Sequence, residues 1–339
     1  MLQIITEANM KTKRTSLNDI AKALSVSKAT VSFVLNGKGD QFNISKEKQR
    51  LIKEKAKELS YVPNFFAKSL RQGETKTIGL VLPDISNAFY AELSKTIQEQ
   101  LYAEGYTTFI VNTNDNDEVE KVLMRELIQR SIDGMIIAPS NHITDLIPIL
   151  LETHIPVVFT DRPGDENADF VGVDNVKEAE RLVNSFSKKP KKLVCIGPSK
   201  SDISTIQKRI KGISEVCNKA KIPVITIELP DDQEAINALI KKELDQGADS
   251  FIPLNNKCTL RSLAAFNALK VTMPTDVRMI SFDDSESFEY MNPQISALRQ
   301  PVTDIGLKTV ARLYERIKET KEPGKHFLLP CHFMARGSH

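Results

Sequence analysis

Between Thr15 and Asn36 the apolar positions fall into two short helical stripes separated by a polar break. Leu17, Ile20, Ala21 and Leu24 recur at i, i+3, i+4 and i+7, the spacing of one helix face. Ser16 stands where an N-cap is needed, with Asp19 three residues on. Ser25-Val26-Ser27 interrupts the pattern, and Ser27 can cap a second helix from Lys28 to Leu35. Val31, Val34 and Leu35 give that helix its inner face, which leaves Lys28, Ala29, Ser32 and Phe33 pointing outward. A third helix starts near Ser45, turns Leu51, Ile52, Ala56 and Leu59 to the core, and is ended by Tyr61-Val62-Pro63-Asn64. Two short helices around a tight turn, the second with a free outer face, have the layout of a helix-turn-helix, whose second helix enters the DNA major groove.

The texture changes after residue 77. Apolar runs of strand length occur at 78–82, 108–112, 135–139, 157–161, 170–174, 193–197, 224–228, 250–254 and 278–282. Helical stretches lie between most of them, such as Tyr90–Glu104, Val119–Arg130, Ala179–Ser187, Ile206–Ala220 and Glu234–Gln246. This alternation predicts parallel sheets with helices on both faces. Roughly ten strands over about 250 residues imply two doubly wound subdomains. A (β/α)8 barrel is the competing expectation, disfavoured by irregular strand spacing after Asp161. Residues 63–77 join the two regions. They hold a short helical possibility from Phe65 to Leu70, too short to be stable in water without DNA or a partner chain, then a polar linker.

Charge sharpens the division. Residues 1–76 hold fifteen Lys and Arg against seven Asp and Glu, a net of +8, and the rest of the chain carries −6. A basic head on an acidic body suits a polyanion-binding module fused to something else, although a solvated basic helix at 46–57 would also account for part of it. Cys195, Cys217, Cys258 and Cys331 are far apart and show no C-x-x-C spacing, as expected of reduced thiols in a cytoplasmic protein. The first fourteen residues read as a loose polar arm with no apolar leader segment, and no apolar run is long enough to span a membrane.

In open α/β sheets ligands bind beyond the carboxyl ends of the strands. The residues there are polar and aromatic: Asp84, Asn87, Phe89, Tyr90, Ser140, Asn141, Asp161 and Arg162, then Asp174, Ser199, Asn255, Asn256, Asp283 and Asp284. Carboxylates, amides and an arginine beside aromatics suit a sugar, whose hydroxyls take paired hydrogen bonds while the ring stacks on an aromatic face. Any one aspartate after a strand is more often a helix cap or turn former, so the convergence carries the argument. The chain lacks the phosphate-binding and nucleophile-elbow glycine motifs, and its histidines show no metal-ligand spacing with Cys, Asp or Glu. Asp283 and Asp284 are adjacent and, in a strand, would face opposite ways. No catalytic residue, cofactor or metal is therefore expected.

These features together resemble the LacI/GalR family of bacterial transcription regulators. The carriers are DIAKALSVSKATVSFVLNG at 19–37, YVPNFFAKSL at 61–70, TKTIGLVLPDISNAFYAEL at 75–93 and ISFDD at 280–284, with MARGS at 334–338 similar to the family's usual tail. The resemblance implies a flexible arm (1–14), a helix-turn-helix domain (15–62), a hinge helix and linker (63–76), and a periplasmic-binding-protein-like body joined by three crossovers. One subdomain of that body comprises 77–173 plus 302–328, the other 174–301 plus 329–339. It implies that Lys28 and Ala29 read bases, that Thr30 and Ser32 meet phosphate or neighbouring bases, that Phe33 stands at a base-reading position, and that Asn36 touches the backbone. Asn64, Ala67 and Leu70 fall at hinge positions that contact the minor groove, Leu70 as the wedge that kinks the duplex, and Phe66 packs one hinge on its dimer mate. Phe89, Tyr90, Asp161, Arg209, Asn255, Asp283 and Gln300 fall at effector-binding positions, Arg209 within an R-x-x-G resembling a helix start.

Departures from the pattern bear on the operator. Phe33 replaces a polar base reader, the 37–45 loop is long, Asn256 replaces an Asp, and Phe65-Phe66 makes the hinge aromatic. The implied function is a homodimeric regulator of a carbohydrate-use operon, most simply a repressor, that binds a near-palindromic operator and is gated by a sugar or sugar phosphate. The alternatives are a solute-binding sugar receptor with no DNA role and a sugar-acting α/β enzyme.

Overall fold

The computed structural model describes residues 15–62, 73–140, 145, 147–165, 167–199, 202–318 and 323–339. The expected arm (1–14), Asn141 and the hinge residues Asn64, Phe65, Phe66, Ala67 and Leu70 lie outside the described residues. The chain divides into two compact units at Gly73 and Glu74.

The first unit contains three helices, α1 (Leu17–Ala23), α2 (Lys28–Leu35) and α3 (Lys46–Glu58). The Asp19 carboxylate accepts from the Ser16 backbone N–H at 2.8 Å and from its hydroxyl at 2.7 Å, fixing the start of α1. Ser25 adopts a left-handed φ of 51° in the turn, and the Ser27 hydroxyl accepts from the Thr30 N–H at 3.0 Å to begin α2. Ile20, Ala21, Val31, Val34, Ile52 and Ala56 form the buried core. One expectation is corrected: Leu51 is 42% exposed, because Ile52 and Ala56 hold the inner face of α3 and its neighbour Leu51 turns away. Phe33 lies outside the buried core on the outer side of α2, half-buried because the ring of Phe42 stacks on it.

The second unit holds two six-stranded sheets. In chain order the first half runs β1 (Thr77–Leu82), α4 (Ala88–Ala103), β2 (Thr107–Asn112), α5 (Asp117–Gln129), β3 (Gly134–Ile137), α6 (Ile147–Thr153), β4 (Val157–Thr160) and β5 (Asp169–Gly172). The second half runs α7 (Asn175–Asn184), β6 (Leu193–Gly197), α8 (Ser204–Ala220), β7 (Val224–Glu228), α9 (Gln233–Asp245), β8 (Ser250–Pro253), α10 (Asn256–Ala268), β9 (Arg278–Phe282) and β10 (Ser296–Arg299). Helix α11 (Val302–Lys318), β11 (His326–Leu328) and β12 (His332–Met334) close the chain. The sheet orders are β11-β5-β4-β3-β1-β2 and β12-β10-β9-β8-β6-β7, parallel throughout except for β12 against β10. Two open sheets replace the barrel alternative.

The chain passes between the sheets three times: after β5, after β10, and between β11 and β12. Strands β1, β3, β6 and β9 are buried along their whole length, which is why each reads as an unbroken apolar run. The 334–338 tail is part of the second subdomain: Ser338 is buried and its hydroxyl accepts from the Ser296 N–H at 2.8 Å while donating to the Met279 carbonyl at 2.7 Å. All four cysteines are buried free thiols. No helix among the described residues is long and apolar enough to cross a membrane.

Two local features fix the packing. Gly212 lets α8 meet α7 closely, since a Cβ there would lie 2.2 Å from the Val176 carbonyl oxygen. Asp169 at the start of β5 accepts from Arg312 at 2.7 Å, from the Lys325 N–H at 2.9 Å and from Arg316, tying α11 and β11 to the sheet. Burial works against the Asp169 charge, but those donors outweigh it and hold the carboxyl below its ordinary range. This stabilisation is full above the unfolded carboxyl's value and is lost as pH falls through the lower folded value.

Gly212→Ala is expected to cost about 1–3 kcal/mol by overpacking, read as a lower urea midpoint of the second unit; an unchanged midpoint would contradict the close approach. Asp169→Asn is expected to lower the unfolding midpoint at pH 7, and the gap to wild type should shrink on acidification below about pH 4. A gap constant with pH would mean that the charge of Asp169 is not what matters.

Candidate functional site

In the head, the candidate reading face is the outer side of α2. Lys28 and Ala29 are exposed there, and Ser32 is half-buried. Thr30 is half-buried and shares a 2.8 Å hydroxyl contact with Ser27. Asn36 is exposed, and its amide donates to the Ser32 carbonyl at 2.6 Å. The side chains of Thr30 and Asn36 thus also complete the two ends of the helix.

The body contains a cleft of about 210 Å3 at the carboxyl ends of the strands. From the first subdomain, β1 delivers Asp84 and Asn87. Asn87 accepts from the Phe89 N–H at 3.0 Å, capping α4 so that its first turn presents Phe89 and Tyr90 to the cleft. Their rings meet edge to face, with centroids 5.1 Å apart. The chain beyond β2 adds Asp115, and β4 ends in Asp161 and Arg162. From the second subdomain come Thr205 and Arg209 of α8, Asn255 before α10, Asp283 after β9 and Gln300 after β10.

Asp161 and Asp283 occupy equivalent places after the fourth strand of each half. Both adopt a left-handed backbone, φ 60° and 72°, a conformation that is strained for most L-residues and least so for Asp and Asn. The twist turns each carboxylate from the sheet toward the cleft. Tyr90 donates its hydroxyl to Asp161 at 2.6 Å. Gln300 donates to Asp283 at 2.7 Å, and Arg209 approaches Asp283 at 3.3 Å. Arg209 also donates to Asn175 at 2.8 Å and to the Leu254 carbonyl at 2.6 Å, with its guanidinium 3.7 Å above the Phe282 ring. Arg162 pairs with Asp115 and donates to the Pro139 carbonyl at 3.1 Å.

Burial pushes the Asp161 carboxyl upward, against the pull of Arg162 and Arg209. Burial likewise raises the Tyr90 phenol, leaving it a hydrogen-bond donor at neutral pH. At the rim, Lys257 of α10 donates to Asp84 and, at 2.7 Å, to the Ser86 hydroxyl, bridging the two subdomains. Burial opposes the Asp84 charge, but Lys257 and Ser86 hold that carboxyl below its ordinary value. Two buried polar atoms of cleft residues have no hydrogen-bond partner, the Arg162 Nε donor and the Gln300 Oε1 acceptor. Such groups are rare in a folded protein; the Arg162 Nε keeps an ion-pair contact with Asp161 at 3.8 Å.

All seven residues expected at the effector site line this one cleft. Arg209 is not at a helix start, however: α8 begins at Ser204, and Arg209 lies in its second turn. Asp174 is a helix cap, accepting from the Lys177 N–H at 3.1 Å. Ser140 bonds Glu120 rather than the cleft, and Asn256 is buried outside it. Asp284 faces away, paired with Arg299 and Arg336. Asn255 combines two roles, lining the cleft while accepting from the Cys258 N–H at 2.8 Å. Asp115, Thr205 and Lys257 were not anticipated. Asp115 was findable by reading beyond the second strand as beyond the others.

The family described as bacterial regulatory proteins, lacI family, matches residues 16–64, and the periplasmic binding proteins and sugar binding domain of LacI family matches 75–337. The HTH-type transcriptional regulator RegA of Clostridium saccharobutylicum is 30% identical over 325 residues, covering 91% of this chain and 95% of its own. The ribose operon repressor of Halalkalibacterium halodurans is 26% identical over 328 residues, covering 95% and 96%. A LacI family transcriptional regulator from Enterococcus faecalis, solved with bound ribose, is 25% identical with a TM-score of 0.69 over 77% of this chain and 98% of its own. These relatives are named as transcription regulators, so the enzyme alternative is set aside. With both family descriptions together spanning nearly all of the described head and body, the chain belongs to the LacI family of bacterial transcription regulators.

Proposed function

We propose that this protein is a dimeric, sugar-gated repressor of a carbohydrate-use operon. The observation that carries the sugar reading is one cleft in which carboxylates, amides and an arginine from both subdomains converge beside the Phe89 and Tyr90 rings, its carboxylates already held by protein donors. A neutral polyhydroxyl ligand offers both a donor and an acceptor at each hydroxyl. Its ring could lie against Phe89, while Asp161, Arg209, Asn255 and Asp283 complete the hydrogen bonds. The ribose named with the Enterococcus regulator and the ribose operon named with the Halalkalibacterium repressor favour a small sugar of this kind. The cleft's charges support a neutral ligand over a phosphorylated one: Asp84, Asp115, Asp161 and Asp283 face Arg162, Arg209, Lys257 and Arg261, with no excess of cations.

Gating follows from the two walls of the cleft belonging to different sheets. A ligand that favours one relative position of the subdomains shifts that equilibrium by its differential affinity and by no more. In the proposed mechanism the shift is transmitted through residues 63–76 to the heads, with Leu70 as the minor-groove wedge. The head reads DNA with Lys28, Ala29, Ser32 and Phe33, and phosphate contacts supply most of the affinity. An apolar surface on the first subdomain, with Tyr102, Phe109, Ile110, Val119 and Val122 exposed on β2 and its neighbouring helices, suits a second copy of the chain.

A thermal-shift screen against neutral pentoses, hexoses and their phosphates is expected to give a stabilising neutral sugar, since a ligand that binds only the native state raises Tm. Gln300→Ala should weaken that sugar about ten-fold, the worth of one net hydrogen bond, without changing sugar-free operator binding. A panel in which only phosphorylated sugars stabilise would contradict the neutral-ligand reading. Operator affinity should fall with salt at a log–log slope near −0.9 per phosphate neutralised, and a flat response would exclude the basic head as the DNA contact.

A further inference from the structure

The outer face of α2 carries an aromatic side chain, Phe33, and the loop that follows returns a second aromatic onto it. The rings of Phe33 and Phe42 lie parallel, 8° between planes, with centroids 3.6 Å apart. Face-to-face stacking is the arrangement that ring quadrupoles favour least, so the loop rather than the ring pair itself dictates this geometry. The loop is firmly tied. The Lys38 N–H donates to the Phe33 carbonyl at 2.8 Å, the Phe42 N–H to the Lys38 carbonyl at 3.2 Å, and the Ile44 N–H to the Gly39 carbonyl at 2.9 Å. Asp40 is held by Lys46 at 2.7 Å and by Gln49 at 2.8 Å, and Gln49 also donates to the Ile44 carbonyl at 2.7 Å. Gly39 is buried so closely that a Cβ there would fall 2.4 Å from the Gln49 side chain.

Neither ring belongs to the buried core of the head, and Phe42 stays 46% exposed. A tied loop that holds an apolar pair at the surface of a region whose residues 1–76 carry a net charge of +8, with Lys28 and Lys38 exposed, suits contact with a polyanion. Among base edges in the major groove only thymine presents an apolar group, its 5-methyl. A phenyl ring against any other edge covers polar atoms without replacing their hydrogen bonds. Ala29, four residues before Phe33, adds a methyl to the same helix face.

We infer that Phe42 is a positioning residue for DNA readout: it locks Phe33 on the reading face, and the stacked pair recognises a thymine methyl in each operator half-site. The inference rests on the head acting as the DNA reader. Arg or Lys readers at this position select guanine; the locked aromatic pair selects thymine.

The test uses the full-length, sugar-free protein. It selects its half-site from a randomised duplex pool, and each thymine of the selected duplex is then replaced by deoxyuridine, which removes only the methyl. For wild type, replacing the contacted thymine in a single half-site should weaken binding about four-fold, the worth of one methyl group taken from water. Phe42→Ala should lose most of that penalty while keeping the wild-type salt slope, and Phe42→Tyr should retain it. Phe42→Leu, which keeps apolar bulk but not a flat ring, should also lose it and guards against a misfolded alanine variant. Binding by wild type that tolerates uracil at every position overturns the assignment, as does a Phe42→Ala protein with the full penalty. Failure to select any sequence overturns the inference together with the DNA-reading role it rests on.

Discussion

Moving an ionised group from water into a protein interior costs several kcal/mol unless it finds partners, and the body of this protein is organised around that constraint. Asp161, Arg162, Arg209 and Asp283 are all buried in one cleft. Each is held by protein groups from a different strand end or helix: Tyr90 for Asp161, Asp115 for Arg162, Asn175 and the Leu254 carbonyl for Arg209, Gln300 for Asp283. The parallel sheets make this possible because their strand ends converge. The two strand-terminal aspartates use the same left-handed turn in both halves, so one local solution serves each wall.

In the proposed gating, the same constraint bears on how a small ligand shifts the subdomains. Because the cleft's charges are already paired within the protein, a sugar need contribute only a few hydrogen bonds to bias the subdomains. The Lys257 bridge to Asp84 and Ser86 is half-exposed and screened, so its strength is modest. The buried apolar core runs from Ile78 and Leu82 to Leu193 and Phe282, linking the sheets through their shared crossovers.

Much of this was legible in the chain. The nine apolar runs became strands with ends displaced by at most two residues; the inner strands are covered on both faces and so apolar throughout, whereas the edge strands β2 and β7 are partly exposed. Ser27-Val31-Val34 specified α2 through a cap and an inner stripe, both local. What the sequence hid is set by distant partners. β10, β11 and β12 have three or four residues each and mixed polarity, so only pairing defines them. Leu51 and Ile52 are adjacent, and only the packing of α3 decides which faces inward. Phe33 looked like a free reader because Phe42, nine residues away on an irregular loop, gives no periodic signal. In the cleft, residues after strands were found readily, whereas Asp174 and Ser140 turned out to be a cap and a partner of Glu120.

A repressor gated by sugar, as proposed, must couple sugar binding and operator binding through one protein. Linkage requires the coupling to be reciprocal. The most direct measurement is therefore the affinity of the stabilising sugar for the protein free and saturated with its selected operator duplex, beside the operator affinity with and without sugar. The same factor is expected in both experiments, about 5- to 150-fold. A sugar that binds free and operator-bound protein equally well would contradict it.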